Sequence, residues 1–450
     1  MTVTADRFLH HNPYESDPQD TRLVEVGKGA PIWEQGLLVL WMYVTIAEFE
    51  GDQFLLYPLA LYWSVMLVLR RREILPIIRR SWLLFTIPVL VTLSMAWSPA
   101  SSAAMRLGIF MILTSGIAVY VASRFTLSQI IRCLFFAGIG GLLWTLSSPI
   151  PFNLGGPFDH KNILAKRMMV TTMAGLAIAY NPREMTPLRL LGVVIALISG
   201  YIVTQAESAT SMVFLAVSVA TLTLIWAVWM GAAKVQFLRG SLVLVVMALL
   251  VGVGMYLTSV DINKLYVGFL DALGKDATLT GRTQLWEAGE RVVKERPLFG
   301  VGAEGFWMWT RGDAYSLLEA SYKQAGTRFN FHNSYYEVQV HLGLVGLAFL
   351  WATMIWCVFR SGLAWVKSQT IVRSFFLLLT LIVFTYSFTE SLMYTVFDID
   401  VMLFFVAAAA STIVPRQIED ALAADGIDPK AVSPVLLNQP VRPGHGIYDA

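Results

Sequence analysis

Long apolar segments recur along the whole chain, and they constrain its fold more than any other feature. Of the 450 residues, 56% are hydrophobic and only 14% are charged, which lies outside the range of soluble globular proteins. About 20 consecutive apolar residues are needed for one helix to cross the hydrocarbon core of a bilayer. The segments lack the alternation of membrane β-barrel strands. The sequence therefore predicts an all-α polytopic protein that contacts the lipid bilayer.

Twelve segments have the length and composition of spanning helices. They cover residues 35–49, 54–69, 81–97, 103–121, 131–146, 163–180, 188–204, 210–230, 241–258, 338–359, 374–391 and 396–414. The transmembrane domain is thus predicted at 31–414, with a short polar tail at 1–30. One large polar loop, residues 259–332, separates the ninth and tenth spans. The tail at 415–450 is rich in Pro, Gly, Ala and Asp, which predicts disorder.

The basic residues between the spans predict the orientation of the bundle. Fourteen of them fall in alternate connections: Arg70, Arg71, Arg72, Arg79, Arg80, Arg124, Arg132, Arg183, Arg189, Lys234, Arg239, Arg360, Lys367 and Arg373. The other set of short connections, which alternates with these, contains only one basic residue, Lys161. By the positive-inside rule both tails are cytoplasmic, and the large loop is outside, which in a bacterium means the periplasm. We expect no signal peptide and no disulfide, because Cys133 and Cys357 lie within apolar segments.

Ionisable residues gather at the predicted outer ends of the spans. They include Arg106, Asp159, His160, Lys161, Lys166, Arg167, Glu207, Glu390, Asp398 and Asp400. An ion-coupled transporter more often has carboxylates near the midplane of the bilayer, and the span centres here are almost free of charge. This pattern favours binding or chemistry at the outer membrane surface. The alternative is that these side chains merely extend from the interface to water.

The large loop contains a predicted helix from Arg282 to Arg296, which Pro297 ends. An apolar stripe that includes Leu285 and Trp286 places one face of this helix against the bundle or the membrane. A cation in the first turn is unfavourable for the helix dipole, so Arg282 is interpreted as facing a ligand.

The segment Gly300-Val301-Gly302-Ala303-Glu304-Gly305 matches G-x-G-x-x-G, but it lacks the preceding strand of a dinucleotide-binding site. We interpret its glycines as allowing a tight turn beside the membrane. Phe306, Trp307 and Trp309 follow, and they are interpreted as an interfacial anchor. Stacking of these rings on a sugar is the alternative.

The stretch His332-Asn333-Ser334 opens the tenth span. Ser334 and Glu337 have the spacing of a capping box, which leaves His332 unexplained. A histidine beside a helix N-terminus is disfavoured in its protonated form, so a neutral His332 could accept a proton from a hydroxyl group. The alternative is that His332 only anchors the helix.

Together these motifs resemble the O-antigen ligase and polymerase superfamily of polytopic bacterial membrane proteins. The motifs are Gly281-Arg282-x-x-x-Trp286, Pro297-x-x-Gly300-x-Gly302, His332-Asn333-x-Tyr335 and Gly343-x-x-Gly346. A further stretch, Phe158-Asp159-His160-Lys161-Asn162-x-Leu164-Ala165, is similar to the ExoQ-type exopolysaccharide polymerases within the superfamily.

The resemblance implies a GT-C-like membrane glycosyltransferase that uses an undecaprenyl-diphosphate-linked glycan, without a cofactor or an obligatory metal. It implies catalytic roles for His332 and Arg282. Family members often have a further arginine in the turn before the eighth span, where this chain has none. Lys161 and Arg167 are the candidates to take its place, and Arg106 and Arg291 are also predicted to bind the diphosphate. Supporting roles are predicted for Asn333, Tyr335, Trp286, Asp159, His160, Asn162 and Glu207.

The function predicted from this resemblance is polymerisation of lipid-linked oligosaccharide repeat units at the periplasmic face of the inner membrane. The partners would be the lipid-linked repeat, the growing glycan and a chain-length regulator or export complex, with no nucleic acid. One alternative is a ligase that transfers finished glycan to lipid A core. A flippase of lipid-linked sugars and a non-catalytic scaffold of an export complex are alternatives of other classes.

Overall fold

The chain forms a bundle of helices in a computed structural model, which describes residues 29–47, 49–229, 282–308, 310–320 and 329–413. No β-strand occurs in these ranges. The α-helices are α1 Ile32–Ala47, α2 Gln53–Leu69, α3 Arg71–Arg80, α4 Thr86–Leu93, α5 Ser101–Arg124, α6 Leu127–Ser147, α7 Lys161–Tyr180, α8 Thr186–Gln205, α9 Ala209–Leu224, α10 Arg282–Glu295, α11 Gly312–Ala320, α12 Ser334–Lys367, α13 Ile371–Tyr386 and α14 Ile399–Ala410. The predicted all-α class is confirmed for the described residues.

The described helices are those of a multi-pass membrane protein. Six are long and apolar enough to cross a bilayer, namely Ser101–Arg124, Leu127–Ser147, Lys161–Tyr180, Thr186–Gln205, Ala209–Val228 and Ser334–Lys367. Four shorter apolar helices are Ile32–Ala47, Trp82–Ala96, Ile371–Tyr386 and Ile399–Ala410. Together with α2, these helices coincide with the predicted spans other than the ninth. The total of twelve spans stays a prediction.

Several predictions concern residues outside the described ranges. These are the polar tail up to residue 28, the ninth span at 241–258, the loop stretches 259–281 and 321–328, Trp309 and the tail at 415–450.

Helix α3 was not predicted. It follows α2 directly and is bent by 91° from it. Ile74 and Ile77 are buried against the bundle, whereas Arg72 and Arg79 are exposed. This amphipathic pattern explains why a stretch assigned to a connection is helical.

The tenth predicted span, α12, is interrupted at Gly343, which has φ 65° and ψ −160°. Such an interruption leaves carbonyl groups before it without helical partners. The glycine loop, defined here as residues 297–305, supplies them. The backbone N–H of Val301 donates to the Val340 carbonyl at 3.1 Å, and that of Gly302 donates to His341 at 2.9 Å.

The glycine loop also satisfies the other side of the break. The backbone N–H of Leu344 donates to the Pro297 carbonyl at 2.8 Å, and that of Val345 donates to Leu298 at 3.2 Å. A Cβ atom on Gly300 would overlap the backbone of Val340. The glycines therefore do more than form a tight turn, because they let the loop backbone pair with the interrupted helix.

The described part of the large loop has its own small hydrophobic core. Its buried members are Leu285, Ala288, Val292, Val301, Phe306, Ala314, Phe331 and Val340. Phe306 is fully buried in this core, and the half-buried Trp307 packs edge-on against it with the ring centroids 4.7 Å apart. The interpretation of these two rings as an interfacial anchor is therefore wrong, since they join the loop to the start of α12.

Candidate active site

Three separate parts of the chain meet where α10 and α12 begin and α13 ends. Arg282, the first residue of α10, donates from Nη2 to Oε1 of Glu390 at 3.1 Å and from Nη1 to the Thr389 carbonyl at 2.8 Å. Nδ1 of His332 lies 3.0 Å from Oε2 of the same Glu390. We call Arg282, Glu390 and His332 the triad. The two residues predicted to be catalytic thus share one carboxylate.

His332 is held in an unusual backbone conformation. Its φ of 49° lies in the left-handed region, which residues other than glycine adopt rarely. Its backbone N–H donates to the Asn330 side chain at 2.8 Å. Strained residues of this kind persist where surrounding contacts fix them, and they cluster at functional sites.

The N-cap of α12 is Asn333 and not Ser334. Oδ1 of Asn333 accepts the backbone N–H groups of Tyr335 at 2.9 Å and Tyr336 at 3.2 Å. The Ser334 hydroxyl instead donates to the backbone carbonyl of Glu390 at 2.9 Å. The predicted capping box is therefore wrong. Asn333 and Ser334 both contribute to fixing the triad.

Glu337 ties together the segments that carry the triad. Its buried carboxylate accepts the backbone N–H of Phe331 at 2.7 Å, the Ser391 hydroxyl at 3.0 Å and the Trp307 ring N–H at 3.2 Å. Phe331 precedes His332 and Ser391 follows Glu390. Phe331 is held from its other side as well, because its backbone carbonyl accepts the indole N–H of Trp286, a predicted supporting residue, at 2.9 Å.

The electrostatics of the triad define its protonation. Burial alone would raise the pKa of Glu390, but the hydrogen bond from His332 and the charges of Arg282 and Lys166 hold this pKa below its usual value. Glu390 is therefore a carboxylate, so Nδ1 of His332 donates to it. Nε2 of a neutral His332 then carries a lone pair, and 31% of the side chain is exposed to receive a substrate.

His160 lies near the triad, at the N-terminus of α7. Its Nδ1 accepts the backbone N–H of Asn162 at 3.1 Å, which caps the helix. Partial burial lowers the pKa of His160. The charge of Glu390 opposes this and raises the pKa, whereas His332, Lys161 and Arg282 lower it further. The predicted supporting residue His160 is thus within electrostatic range of all three triad residues.

The other predicted site residues have varied surroundings. Lys161 is half-buried and has no side-chain partner among the described residues, whereas Arg106, Asp159 and Glu207 are exposed. Glu207 has a left-handed φ of 51°. Tyr335 is buried and stacks on Trp351, with the ring centroids 4.6 Å apart.

Two of the cations predicted to bind the diphosphate are engaged elsewhere. Arg167 is buried and bonds Asp398 and Asp400, each at 3.0 Å, and Lys166 shares both carboxylates. We call these four residues the buried ion cluster. Arg291 pairs with Asp313 at 3.4 Å. It lies nine residues after Arg282 in α10, which corresponds to about 13 Å along the helix axis. The structure brings neither arginine to the triad.

Comparison with known proteins bears on these residues. Residues 191–351 match the family model described as O-Antigen ligase, and this range contains Arg282 and His332. The chain is 27% identical over 308 residues to the exopolysaccharide production protein ExoQ of Rhizobium meliloti (strain 1021), covering 65% of this chain and 68% of ExoQ. The resemblance to the O-antigen ligase family is confirmed. An uncharacterized protein of Haemophilus influenzae is 30% identical over 125 residues, which cover 25% of this chain and 30% of that protein.

Glu390 was missed as a site residue. The matched range of the O-antigen ligase family ends before it, and it lies 58 residues after its partner His332. One sequence signal did mark Glu390, which was its position among the acids of the predicted outer ends. That signal did not distinguish Glu390 from Asp398 and Asp400, which belong to the buried ion cluster.

Replacing Glu390 by glutamine is expected to lower activity about 10- to 100-fold, as loss of a partner that orients a functional histidine does. Because the pKa of Glu390 is lowered, its carboxylate stabilises the fold above its usual pKa, and this contribution is lost as pH falls below it. The variant should therefore lose part of the acid sensitivity of unfolding. Activity and melting temperature against pH measure both effects. Glu50→Gln is the control, since Glu50 is an exposed acid in the predicted outer connection between α1 and α2.

Replacing Arg167 by glutamine is expected to destabilise the protein by about 3–5 kcal/mol, because it leaves two buried carboxylates with only one cation, Lys166, in the cluster. Arg291→Gln is the matched control, since its pair with Asp313 is exposed and contributes at most about 1 kcal/mol. Thermal unfolding of the purified variants measures the difference. Equal melting temperatures of the two variants would contradict a structural role for Arg167.

Proposed function

We propose that the protein polymerises undecaprenyl-diphosphate-linked oligosaccharide repeat units in exopolysaccharide biosynthesis. In this proposal a GT-C-like bundle of twelve spans in the bacterial inner membrane carries the site on its periplasmic face. The observation that carries the proposal is the triad, which combines a base and a cation in one partly open site. The similarity to ExoQ, which is named as an exopolysaccharide production protein, supports the pathway.

Arg282 would bind the diphosphate of the donor lipid. Two of its N–H groups bond Glu390 and Thr389, and the remaining ones have no partner among the described residues. A guanidinium can contact two phosphate oxygens at once, and such charge-assisted bonds are about twice as strong as neutral ones. Neutralising the diphosphate makes it a better leaving group, since negative charge develops on it in the transition state.

His332 would act as the general base. Nε2 takes the proton of the acceptor hydroxyl, whose oxygen forms a bond to the anomeric carbon of the donor glycan. The bond from that carbon to the diphosphate oxygen breaks, and the undecaprenyl diphosphate leaves with the electron pair. Glu390 keeps Nδ1 protonated and stabilises the positive charge that His332 gains.

The test is reconstitution of the purified protein with one defined undecaprenyl-diphosphate-linked repeat unit. The proposal predicts a ladder of glycans on the lipid, each longer than the last by one repeat. A protein that forms no ladder, in conditions where it binds the repeat unit, would contradict polymerase activity.

A ligase is the second candidate, and the description of the matching family model favours it. A ligase would use the same triad with lipid A core as acceptor. The reconstitution therefore includes a second sample with lipid A core and preformed polymer on undecaprenyl diphosphate. Transfer to the core without a ladder in the first sample would establish the ligase.

A further inference from the structure

The ring of His160 is held in one protonation state by the helix that it caps. The backbone N–H of Asn162 donates to Nδ1 at 3.1 Å, so Nδ1 must offer a lone pair. The proton of the neutral ring is then on Nε2. This Nε2–H has no partner among the described residues, and the side chain is exposed.

A continuous path of hydrogen bonds ties the start of α7 to the triad. Oδ1 of Asn162 accepts the Ser208 hydroxyl at 3.0 Å, and Ser208 bonds the Ser211 hydroxyl at 3.2 Å. The Ser211 hydroxyl lies 2.6 Å from that of Tyr386. The carbonyl of Tyr386 accepts the backbone N–H of Glu390 at 2.9 Å. The helix ends that carry His160 and Glu390 are therefore fixed relative to each other.

The charges around His160 oppose its protonation. Arg282 and Lys161 are positive, and the N-terminus of α7 adds the positive end of a helix dipole. Glu390 is negative, but it is already paired with Arg282 and His332. A proton on Nδ1 would also remove the cap of α7. The surroundings thus favour a neutral ring that donates from Nε2.

We propose that His160 donates a hydrogen bond from Nε2 to a phosphate oxygen of the lipid diphosphate that Arg282 binds. This inference rests on the proposed function and adds a residue to its binding site. It answers which group takes the place of the arginine missing from the turn before the eighth span. A neutral donor adds a contact to the anion without repulsion from Arg282, so this site does not need a second arginine.

The test separates the donor from the cap. His160→Asn keeps a side chain that caps helices well but lacks a donor at the position of Nε2, whereas His160→Ala removes both. Binding of undecaprenyl diphosphate to the purified protein is measured between pH 6 and 8. The His332→Asn background is used so that His160 is the imidazole under test at this site.

We expect His160→Asn to keep the melting temperature of its parent and to weaken binding about 10- to 100-fold, the range for a hydrogen bond to a charged group. We expect His160→Ala to weaken binding equally and to melt at a lower temperature. The ratio of the parent's affinity to that of His160→Asn should stay constant across this pH range, because a neutral donor does not lose its proton there and any titration of the phosphate affects both proteins.

Unchanged binding by His160→Asn would overturn the inference and leave His160 as a cap only. The inference would also be overturned if affinity fell steeply with rising pH in the parent but not in His160→Asn. The ring of His160 would then bind the phosphate as a cation. Binding that depends on His160 in a wild-type protein that forms no polymer would support this inference and overturn the proposed polymerase function.

Discussion

Replacing His332 by asparagine is expected to abolish polymer formation while the lipid-linked repeat unit accumulates. The variant loses the Nε2 lone pair that takes the acceptor proton, and general-base catalysis contributes about 10²- to 10⁴-fold. Asparagine is chosen because the φ of 49° at this position lies in a region that asparagine tolerates better than alanine. The measurement is the glycan ladder of the reconstituted protein, with the amount of unreacted repeat unit.

Tyr336→Phe is the control for this experiment. Among the residues that the structure describes, the Tyr336 hydroxyl bonds only the exposed Glu290, at 3.2 Å, and the ring stacks on Trp286 with centroids 5.3 Å apart. Phenylalanine keeps the stacking, so this variant should make polymer at the wild-type rate. A normal ladder from His332→Asn, at wild-type protein levels, would remove His332 from the mechanism. It would support the interpretation that this histidine only anchors the helix.

Replacing Gly343 by alanine is expected to prevent the glycine loop from docking on α12. A Cβ atom at this position would overlap the carbonyl group of Leu298. The backbone conformation, φ 65° and ψ −160°, is also one that almost only glycine adopts. We expect a loss of stability of at least about 3 kcal/mol from backbone strain and overlap together. Thermal unfolding and limited proteolysis of the glycine loop measure this loss.

Gly362→Ala is the matched control in the same helix. A Cβ atom on Gly362 would meet nothing within 4 Å. In a regular helical position alanine stabilises by about 0.5–1 kcal/mol relative to glycine. The two variants should therefore shift the melting temperature in opposite directions. An equal shift in the two would show that the interruption at Gly343 does not depend on glycine.

The positions of the spans could be predicted because burial in lipid selects for composition, which is a local property of the sequence. Helix α3 could not be found in this way, since its polar arginines outweigh the two buried isoleucines, Ile74 and Ile77. The shorter apolar helices were found because their hydrophobicity, unlike their length, is typical of a span.

The site could be predicted only in part. Arg282 and His332 were singled out by motifs, and the structure shows that they share a carboxylate. The identity of that carboxylate depends on how the turn after α13 packs against α12, which no local pattern encodes. The choice between Asn333 and Ser334 as cap has the same origin. Both are good capping residues, and the contact of Ser334 with the Glu390 carbonyl decides it.

The glycines show the same limit. Their spacing was noticed, yet their role is to let two stretches about 40 residues apart exchange backbone hydrogen bonds. Gly300 and Gly302 belong to one stretch and Gly343 to the other. A single sequence shows where glycines are, and it does not show which backbone they approach.

The contacts of Glu337 have a consequence for how such a chain can diversify. This carboxylate holds Trp307 before and Phe331 after a stretch of more than twenty residues, so both ends of that stretch are anchored on one side chain. Changes between the anchors that preserve Asn330 and the buried Ala314 are expected to leave the histidine and its carboxylate in register. Under the proposed function, selection for a new sugar repeat can act on this stretch while the reaction chemistry stays unchanged.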